Sequence, residues 1–343
     1  MEADYLFGKI LKHNKKFEPT PTQFTHGFEV SWYKQTLGEK AWQRKLKYPE
    51  LGATFLFFRH GDNEVFGNAY LLMGVAKFWI VRSRHVDFYV RAGSGIAIVP
   101  RHFDLIDNPK NKVIGSTLNS SAQLKLGIDI KPVNNFHIIA GVCFTHYSNS
   151  AVQLPNLGIN TPAVFFGVRY FPVTNNKFSY NRAKWNKPDK KNEVMLKLGM
   201  GFREKQTYNG PKYPMYSFTA NYARYTSIVN KVLAGVTFDW DQAEYEYVVI
   251  QEIETKYKRG ASGLRFSMFV GDEVLIGRIG LYFIAGFDLF PIVKPYFPYT
   301  KIGANYYFVN VGKKKYTKFF IGSNLKSNLF VAQYYEVATG IAF

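Results

Sequence analysis

The chain contains a single cysteine, Cys143, in 343 residues. One cysteine excludes an internal disulfide and a cysteine-based metal site. The seven histidines are scattered and show no HExxH or other paired spacing, so the sequence predicts no metal centre. Three of them, His60, His85 and His102, lie near predicted strand ends beside basic residues, and we expect these to be solvated.

Long hydrophobic runs are also absent. No stretch of about 18 apolar residues is present, and a transmembrane helix needs one of that length. The mean hydropathy is only −0.18. The first residues, Met1-Glu2-Ala3-Asp4, lack the charged start and apolar stretch of a secretory signal. If the protein is exported, we expect the numbering to begin at or near a mature terminus.

Acidic residues are scarce: 25 Asp and Glu stand against 44 Lys and Arg, which gives a formal net charge of +19. Much of the excess lies in short runs at 182–191, 256–259 and 313–318. Such runs are typical of solvated loops, or of surfaces that attract anionic lipid headgroups and phosphorylated glycolipid. The basic residues do not gather on one helix or on an RNA-binding sheet motif, so no nucleic-acid partner is predicted.

Aromatic residues are abundant, at 17% of the chain, and many segments alternate apolar and polar residues for ten positions or more. Soluble strands are commonly five or six residues long, whereas membrane-spanning strands need about ten. One predicted strand places bulky apolar residues on one face: Val194, Leu196, Leu198, Met200 and Phe202. Its other face carries small or charged residues: Lys197, Gly199, Gly201 and Arg203. The sequence therefore predicts an all-β, transmembrane antiparallel β-barrel with lipid outside and a polar interior.

Fifteen alternating segments are visible, but single-chain bacterial barrels have an even number of strands. We therefore expect about 14 strands, within a range of 12 to 16, with one segment before residue 136 in excess, for instance 24–35. Residues 24–343 are predicted to form one outer-membrane barrel, and residues 1–23 an N-terminal periplasmic segment. The last predicted strand ends in Phe343, which is similar to the insertion signal of bacterial outer-membrane barrels. The expected location is the bacterial outer membrane.

The predicted strand 136–148 carries a candidate catalytic pair. Ile138, Val142 and Phe144 share one face, and His146 and Ser148 continue that face. If the apolar stripe faces lipid, the pair lies where acyl chains meet the polar layer, and we expect it at the extracellular rim. A serine is a poor nucleophile unless a neighbouring imidazole accepts its proton.

The chain continues as His146-Tyr-Ser-Asn149, followed by Pro155-Asn-Leu-Gly158. This pattern resembles the PagL-like lipid A 3-O-deacylases, and most closely the longer Bacteroidetes members often labelled acyloxyacyl hydrolases. The motif covers 146–160, and a looser likeness extends over about 25–173. The resemblance implies that Ser148 is the nucleophile and His146 the general base. It also implies that the amides of Asn156 and Asn149 help to hold an oxyanion.

One position departs from the family pattern. The glutamate that orients the histidine corresponds to Asn160 here. An amide oxygen still accepts a hydrogen bond from imidazole, but it cannot offset the charge of imidazolium. In a serine triad, the change from acid to amide costs on the order of 10⁴ in rate. Either a carboxylate from a neighbouring loop substitutes, with Asp104 and Asp107 as candidates, or the activity is weak or absent.

Two classes of function follow. The first is an esterase that removes an ester-linked acyl chain from lipid A or a related outer-leaflet lipid, with lipopolysaccharide as partner and no cofactor. The second is a weak or inactive family barrel that serves as a structural or accessory subunit of an outer-membrane protein assembly. A passive pore is a third, weaker possibility.

Overall fold

The fold is that of a computed structural model of the chain. The structure describes these residues: 1–133, 135–171, 180–185, 191–205, 207–253, 259–289, 298–308, 317–328 and 331–343. Within them, no helix is long and apolar enough to cross a bilayer. The described elements are almost all antiparallel strands, and they close into two separate barrels of eight strands each.

The first barrel is formed by the N-terminal half of the chain. Its strands are β1 (Glu2–Gly8), β2 (Thr25–Gln35), β3 (Glu50–Arg59), β4 (Asn68–Val81), β5 (Val86–Ile98), β6 (Leu118–Ile130), β7 (Phe136–Ser148) and β8 (Ile159–Tyr170). A short helix, α1 (Ala41–Lys45), lies between β2 and β3. The ring closes because β1 pairs with both β2 and β8, so no strand edge is left open.

The second barrel is formed by the C-terminal half. Its strands are β9 (Asn192–Arg203), β10 (Tyr213–Ser227), β11 (Asn230–Asp241), β12 (Leu264–Ile276), β13 (Ile279–Asp288), β14 (Pro298–Phe308), β15 (Lys318–Asn328) and β16 (Val331–Ala342). Pairing of β16 with β9 closes this ring. Between β11 and β12 lie α2 (Gln242–Ile250) and a 3₁₀ turn at Arg259–Gly263.

The strands alternate in burial as a membrane barrel requires. In β8, for example, Val164 and Phe166 are more than half exposed, whereas Ala163 and Phe165, which alternate with them, are buried. Apolar residues thus cover the outside of each barrel, where they face hydrocarbon. An eight-stranded barrel has an interior just wide enough for side chains to fill.

The interior of the first barrel is filled by paired charges. Glu29, fully buried, accepts from Arg91 at 2.6 Å and from Lys125 at 2.8 Å. Lys125 also pairs with Asp4 at 2.7 Å. Arg169 contacts Glu50 at 2.7 Å and Asp129 at 3.1 Å. Buried charges are tolerated when they are paired and hydrogen-bonded, and these pairs link strands on different sides of the barrel.

The second barrel has a separate network of the same kind. Lys231 pairs with Glu193 and Glu273, and Lys326 pairs with Asp239 and Asp288. The two charged residues that the sequence placed on an interior face are paired here: Lys197 contacts Glu336, and Arg203 contacts Asp241. Asp288 in β13 contacts Lys326. These charges are buried and held by one another, so their arrangement does not favour a passive pore.

The predicted fold class is confirmed: the chain is all-β and antiparallel, and the sixteen strands described fall within the expected range. The expectation of one barrel over 24–343 differs from the structure, which divides these residues between two barrels. The rule that barrels have an even number of strands was applied to fifteen segments, a count that lacked one strand. No segment was in excess, since 24–35 contains β2; instead β1 was missing, inside the 1–23 segment that the sequence placed outside the barrel.

β1 is not evident from the sequence because the strand is only seven residues long and begins at Glu2. Its buried face includes two carboxylates, Glu2 and Asp4. These are recognised as interior residues only when their partners Lys77 and Lys125 are known. The long connection after β8 leads from the closing strand of the first barrel to β9, the first strand of the second. The three basic runs overlap residues that lie outside the described part of the chain.

We expect Glu29→Gln to lower the free energy of unfolding by about 3–5 kcal/mol, because it leaves the buried Arg91 without its carboxylate and Lys125 with Asp4 alone. The matched control is Glu18→Gln. Glu18 pairs with Lys112, but both side chains are at least half exposed, so the expected change is about 0–1 kcal/mol. Urea unfolding of the detergent-solubilised protein measures both. Equal stabilities of the two variants would contradict the assigned role of the interior network.

Candidate active site

The candidate pair lies at the end of β7, on the lipid-facing side of the first barrel. Ile138, Val142 and Phe144 are exposed, whereas Thr145 and Tyr147 on the opposite face are fully buried. His146 and Ser148 share the parity of the exposed set, as the sequence predicted. Because β7 runs in the same direction as β1, Ser148 lies at the rim opposite Met1.

Ser148, His146 and Asn160 form a hydrogen-bonded row. Ser148 Oγ lies 3.1 Å from His146 Nε2, and His146 Nδ1 lies 2.6 Å from Asn160 Oδ1. The row follows from strand register, since His146 in β7 stands directly opposite Asn160 in β8. Both distances match the expectation for a serine activated by an oriented imidazole. The structure thus brings together the three residues that the sequence pattern had selected.

The connection after β7 is tied back onto the barrel beside Ser148. Leu157 N and Gly158 N donate to Val113 O at 2.9 and 3.3 Å. Asn156 forms a bridge with Ile114, and Ser120 Oγ donates to Ser148 O at 2.8 Å. These bonds hold the connection against the strand end, and Ser148 is accordingly only 4% exposed.

Gly158 is the closest point of this connection to the pair. It has a φ of +76°, which favours glycine. A Cβ added there would lie 2.7 Å from His146 Cε1 and 3.2 Å from Ser148 Cβ. The backbone therefore packs against both side chains at a distance that only glycine permits.

The two oxyanion candidates are not equivalent. Asn156 Oδ1 accepts from the backbone N–H of Asn149 at 3.0 Å, which holds the Asn156 amide next to the residue after Ser148. Among the described residues, Asn156 Nδ2 has no hydrogen-bond acceptor. Asn149 Nδ2 donates to Ser116 Oγ at 3.0 Å. This arrangement favours Asn156 Nδ2 over the Asn149 side chain as the donor for a developing oxyanion.

Neither loop carboxylate takes the place of the family glutamate. Asp104 Oδ1 accepts from the backbone N–H groups of Asp107 and Ile106 at 2.9 and 2.8 Å, and these bonds lower the pKa of the Asp104 carboxyl. This carboxylate caps its own turn. The group on His146 Nδ1 is Asn160, so the partner of the imidazole is a neutral amide.

A fourth residue completes the row, and no pattern in the sequence pointed to it. His13 lies in the connection after β1, and Asn160 Nδ2 contacts His13 Nδ1 at 3.1 Å. His13 Nε2 lies 3.1 Å from Leu157 O. His13 belongs to no motif and lies 147 positions from Asn160 in the sequence. The two residues meet because β1 closes onto β8.

Tyr147, between His146 and Ser148, anchors the strand end from the inside. Its hydroxyl bonds to His60 Nε2, and His60 Nδ1 contacts Thr25 Oγ1 at 3.2 Å. His60 is fully buried, which corrects the expectation of a solvated rim histidine; His85 is exposed as expected. His60 follows β3, outside its bounds, and burial lowers its pKa to about 3.

Comparison with known proteins finds a family that the first barrel is similar to. Residues 26–169 match the family described as lipid A 3-O-deacylase (PagL). The match spans β2 to β8 with the whole Ser148–His146–Asn160 row, and it does not extend to the second barrel. No curated protein matches the chain.

Solved structures with some likeness include the outer-membrane enzyme PagL, at 17% identity and a TM-score of 0.36, covering 50% of this chain and all of that one. Another is the translocator domain of the autotransporter NalP from Neisseria meningitidis, at 8% identity and a TM-score of 0.20, covering 100% of this chain and 86% of that one. A Rhodopseudomonas blastica porin mutant has 9% identity and a TM-score of 0.20, with coverage of 100% and 98%. The predicted location, the bacterial outer membrane, is confirmed by the PagL-family match together with the barrel fold.

Substituting Gly158 tests how tightly the PagL-family site is packed. We expect Gly158→Ala to slow the reaction of Ser148 with a fluorophosphonate by about 100-fold, because the added methyl displaces the His146 ring. The control is Gly67→Ala, which has a similar positive φ of +60° but lies in another connection. It should lower stability to a similar degree while Ser148 reacts at the native rate. Equal loss of reactivity in both variants would show a general effect of backbone strain.

The buried His60 predicts a loss of stability in acid. Its pKa is lowered in the folded state to about 3, so the unfolded chain binds the proton more readily between pH 6.5 and 3. Stability contributed by neutral His60 is present above pH 6.5 and falls by about 1.4 kcal/mol per unit as the pH drops through that window. Unfolding of the native protein and of His60→Gln across this range measures the effect. The variant should show a shallower decline, and identical slopes would refute the assignment.

Proposed function

We propose that this protein is an outer-membrane esterase that removes an ester-linked acyl chain from lipid A. The observation that carries the proposal is the Ser148–His146–Asn160 row, with distances of 3.1 and 2.6 Å, at the end of a lipid-facing stripe. The PagL-family match over residues 26–169 supports the substrate class. The expected orientation places this rim at the outer leaflet.

In the first step, Ser148 Oγ attacks the ester carbonyl carbon while its proton passes to His146 Nε2. Negative charge develops on the carbonyl oxygen, and Asn156 Nδ2 is the proposed donor to it. The bond between the carbonyl carbon and the sugar oxygen then breaks. His146 gives its proton to that oxygen, which leaves as a hydroxyl, and the acyl chain remains on Ser148.

In the second step, water attacks the acyl-enzyme. His146 takes a proton from the water and returns it to Ser148 Oγ as the fatty acid leaves. Asn160 holds the Nδ1–H of His146 throughout, so that Nε2 is the nitrogen that accepts protons. Because the amide is neutral, it does not offset the imidazolium charge, and we expect turnover slower than with a carboxylate at this position.

Substrate access follows from the outer surface. Val142 and Phe144 in β7 and Val164 and Phe166 in β8 are exposed below the site, so acyl chains lie against the same strands that carry the pair. Basic residues at this rim, such as Lys9 and Arg59 at the ends of β1 and β3, are exposed and suited to glycolipid phosphates. A lipid ester in the outer leaflet therefore reaches the serine from the membrane side.

The alternative predicted from the sequence, an accessory subunit of an outer-membrane assembly, gains no support from the comparisons. The departure at Asn160 was its main argument, and Asn160 instead bonds to His146 at 2.6 Å. The esterase is therefore the one function proposed. The second barrel, which the family match does not cover, is given no catalytic role in this proposal.

The proposal is tested by mass spectrometry of lipid A from membranes that carry either the native protein or Ser148→Ala. We expect the native protein to remove one acyl chain and Ser148→Ala, which lacks the nucleophile, to remove none. Antibody detection in the outer-membrane fraction controls for insertion of both proteins. Identical lipid A in the two strains, with both proteins inserted, would exclude lipid A deacylation.

A further inference from the structure

The further inference concerns His13, and its catalytic meaning rests on the proposed function. Besides being neutral, an asparagine at position 160 differs from a carboxylate because the two ends of its amide are chemically different. With Oδ1 toward His146, the amide accepts from Nδ1–H and leaves Nε2 free to take the Ser148 proton. With Nδ2 toward His146, it would donate to Nδ1 and place the ring proton on Nε2. The base would then be lost.

His13 distinguishes between these two orientations. A carbonyl oxygen faces each ring nitrogen: Leu157 O lies 3.1 Å from Nε2, and Leu11 O lies 3.2 Å from Nδ1. A proton on Nδ1 would satisfy Leu11 O alone and would set an N–H against the Asn160 amide, whereas a proton on Nε2 satisfies Leu157 O and leaves the Nδ1 lone pair facing that amide, 3.1 Å away. Only Nδ2 of Asn160 can donate to that lone pair. We propose that His13 is a positioning residue that fixes the Asn160 amide, and through it the tautomer of His146.

The neighbours of His13 hold its ring in place. The ring packs edge-on against Phe17, and the neighbouring Lys12 donates to Thr20 Oγ1. The contact with Leu157 O also ties His13 to the connection that follows Ser148.

His13 therefore fixes the direction of the row. Without its ring the Asn160 amide is free to turn, and the base function of His146 declines. A carboxylate at position 160 needs no such partner because both of its oxygens accept.

The first test measures the tautomer of His146 and does not depend on any substrate. ¹⁵N NMR of the ring nitrogens, in the full-length protein in detergent micelles, is compared between the native chain and His13→Ala. We expect the proton on Nδ1 of His146 in the native chain and a substantial population with the proton on Nε2 in His13→Ala. His102→Ala, which removes another histidine at this rim, should leave the tautomer of His146 unchanged. An unchanged tautomer in His13→Ala would overturn the proposal.

The second test separates positioning of Asn160 from support of the loop. The rate of Ser148 labelling by a fluorophosphonate is measured in a cycle of four proteins: native, His13→Ala, Asn160→Glu and the double variant. We expect His13→Ala to slow labelling about tenfold in the native background and less than about threefold in the Asn160→Glu background, where the carboxylate has no direction to be fixed. An equal loss in both backgrounds would show that His13 only anchors the connection at Leu157.

The third test restores the acceptor. His13→Asn keeps an acceptor oxygen at the position of Nδ1, so it should label at a rate within about threefold of the native chain. Labelling as slow as in His13→Ala would overturn the role of His13 as the acceptor for Asn160. A native chain that labels as described but leaves lipid A unchanged would refute the proposed substrate and leave the role of His13 standing.

Discussion

Hydrocarbon offers no partner to a backbone N–H or C=O group, and each barrel is the solution to that constraint. Closure satisfies the last free edges: β1 bonds to β8 in the first ring, and β16 bonds to β9 in the second. Once a ring is closed, strand parity decides which side chains meet lipid. His146 and Ser148 face outward for no reason other than their even spacing from Val142 and Phe144. The same constraint that permits the fold thus sets the candidate nucleophile on the outward face of β7, where the following connection covers it.

The narrow interior that closure produces must then be filled. In an eight-stranded ring the inward side chains leave no space for bulk water, so charged residues persist only as pairs. Glu29 with Arg91 and Lys125 is one such group in the first barrel, and it lies below the site rather than in it. Nearer the rim, the interior contributes the bond between His60 and Tyr147. The strand end that carries the candidate pair is therefore held from inside by buried groups.

The sequence predicted much of this, and its failures have physical causes. Long alternation marks a strand wherever apolar residues face lipid, and all fifteen alternating segments contain strands of the structure. The number of barrels could not be predicted in this way, because alternation shows which face of a strand is buried and does not show which strand closes a ring. That information lay in β1, whose charged inner face is meaningful only with its partners present. The site row was predictable because strand register and a short motif specify it locally, whereas His13 reaches it through ring closure alone.

The role of the N-terminal strand links the fold to the chemistry. In a serine triad with a carboxylate, the acid both orients the imidazole and offsets its charge. Asn160 can do only the first of these, and only if something outside the triad fixes which end of the amide faces His146. The connection after β1 provides that group because β1 closes against β8, the strand that carries Asn160. The loss of one charge at position 160 thus makes orientation of the base dependent on the first thirteen residues, which in the strand pattern had seemed dispensable to the barrel.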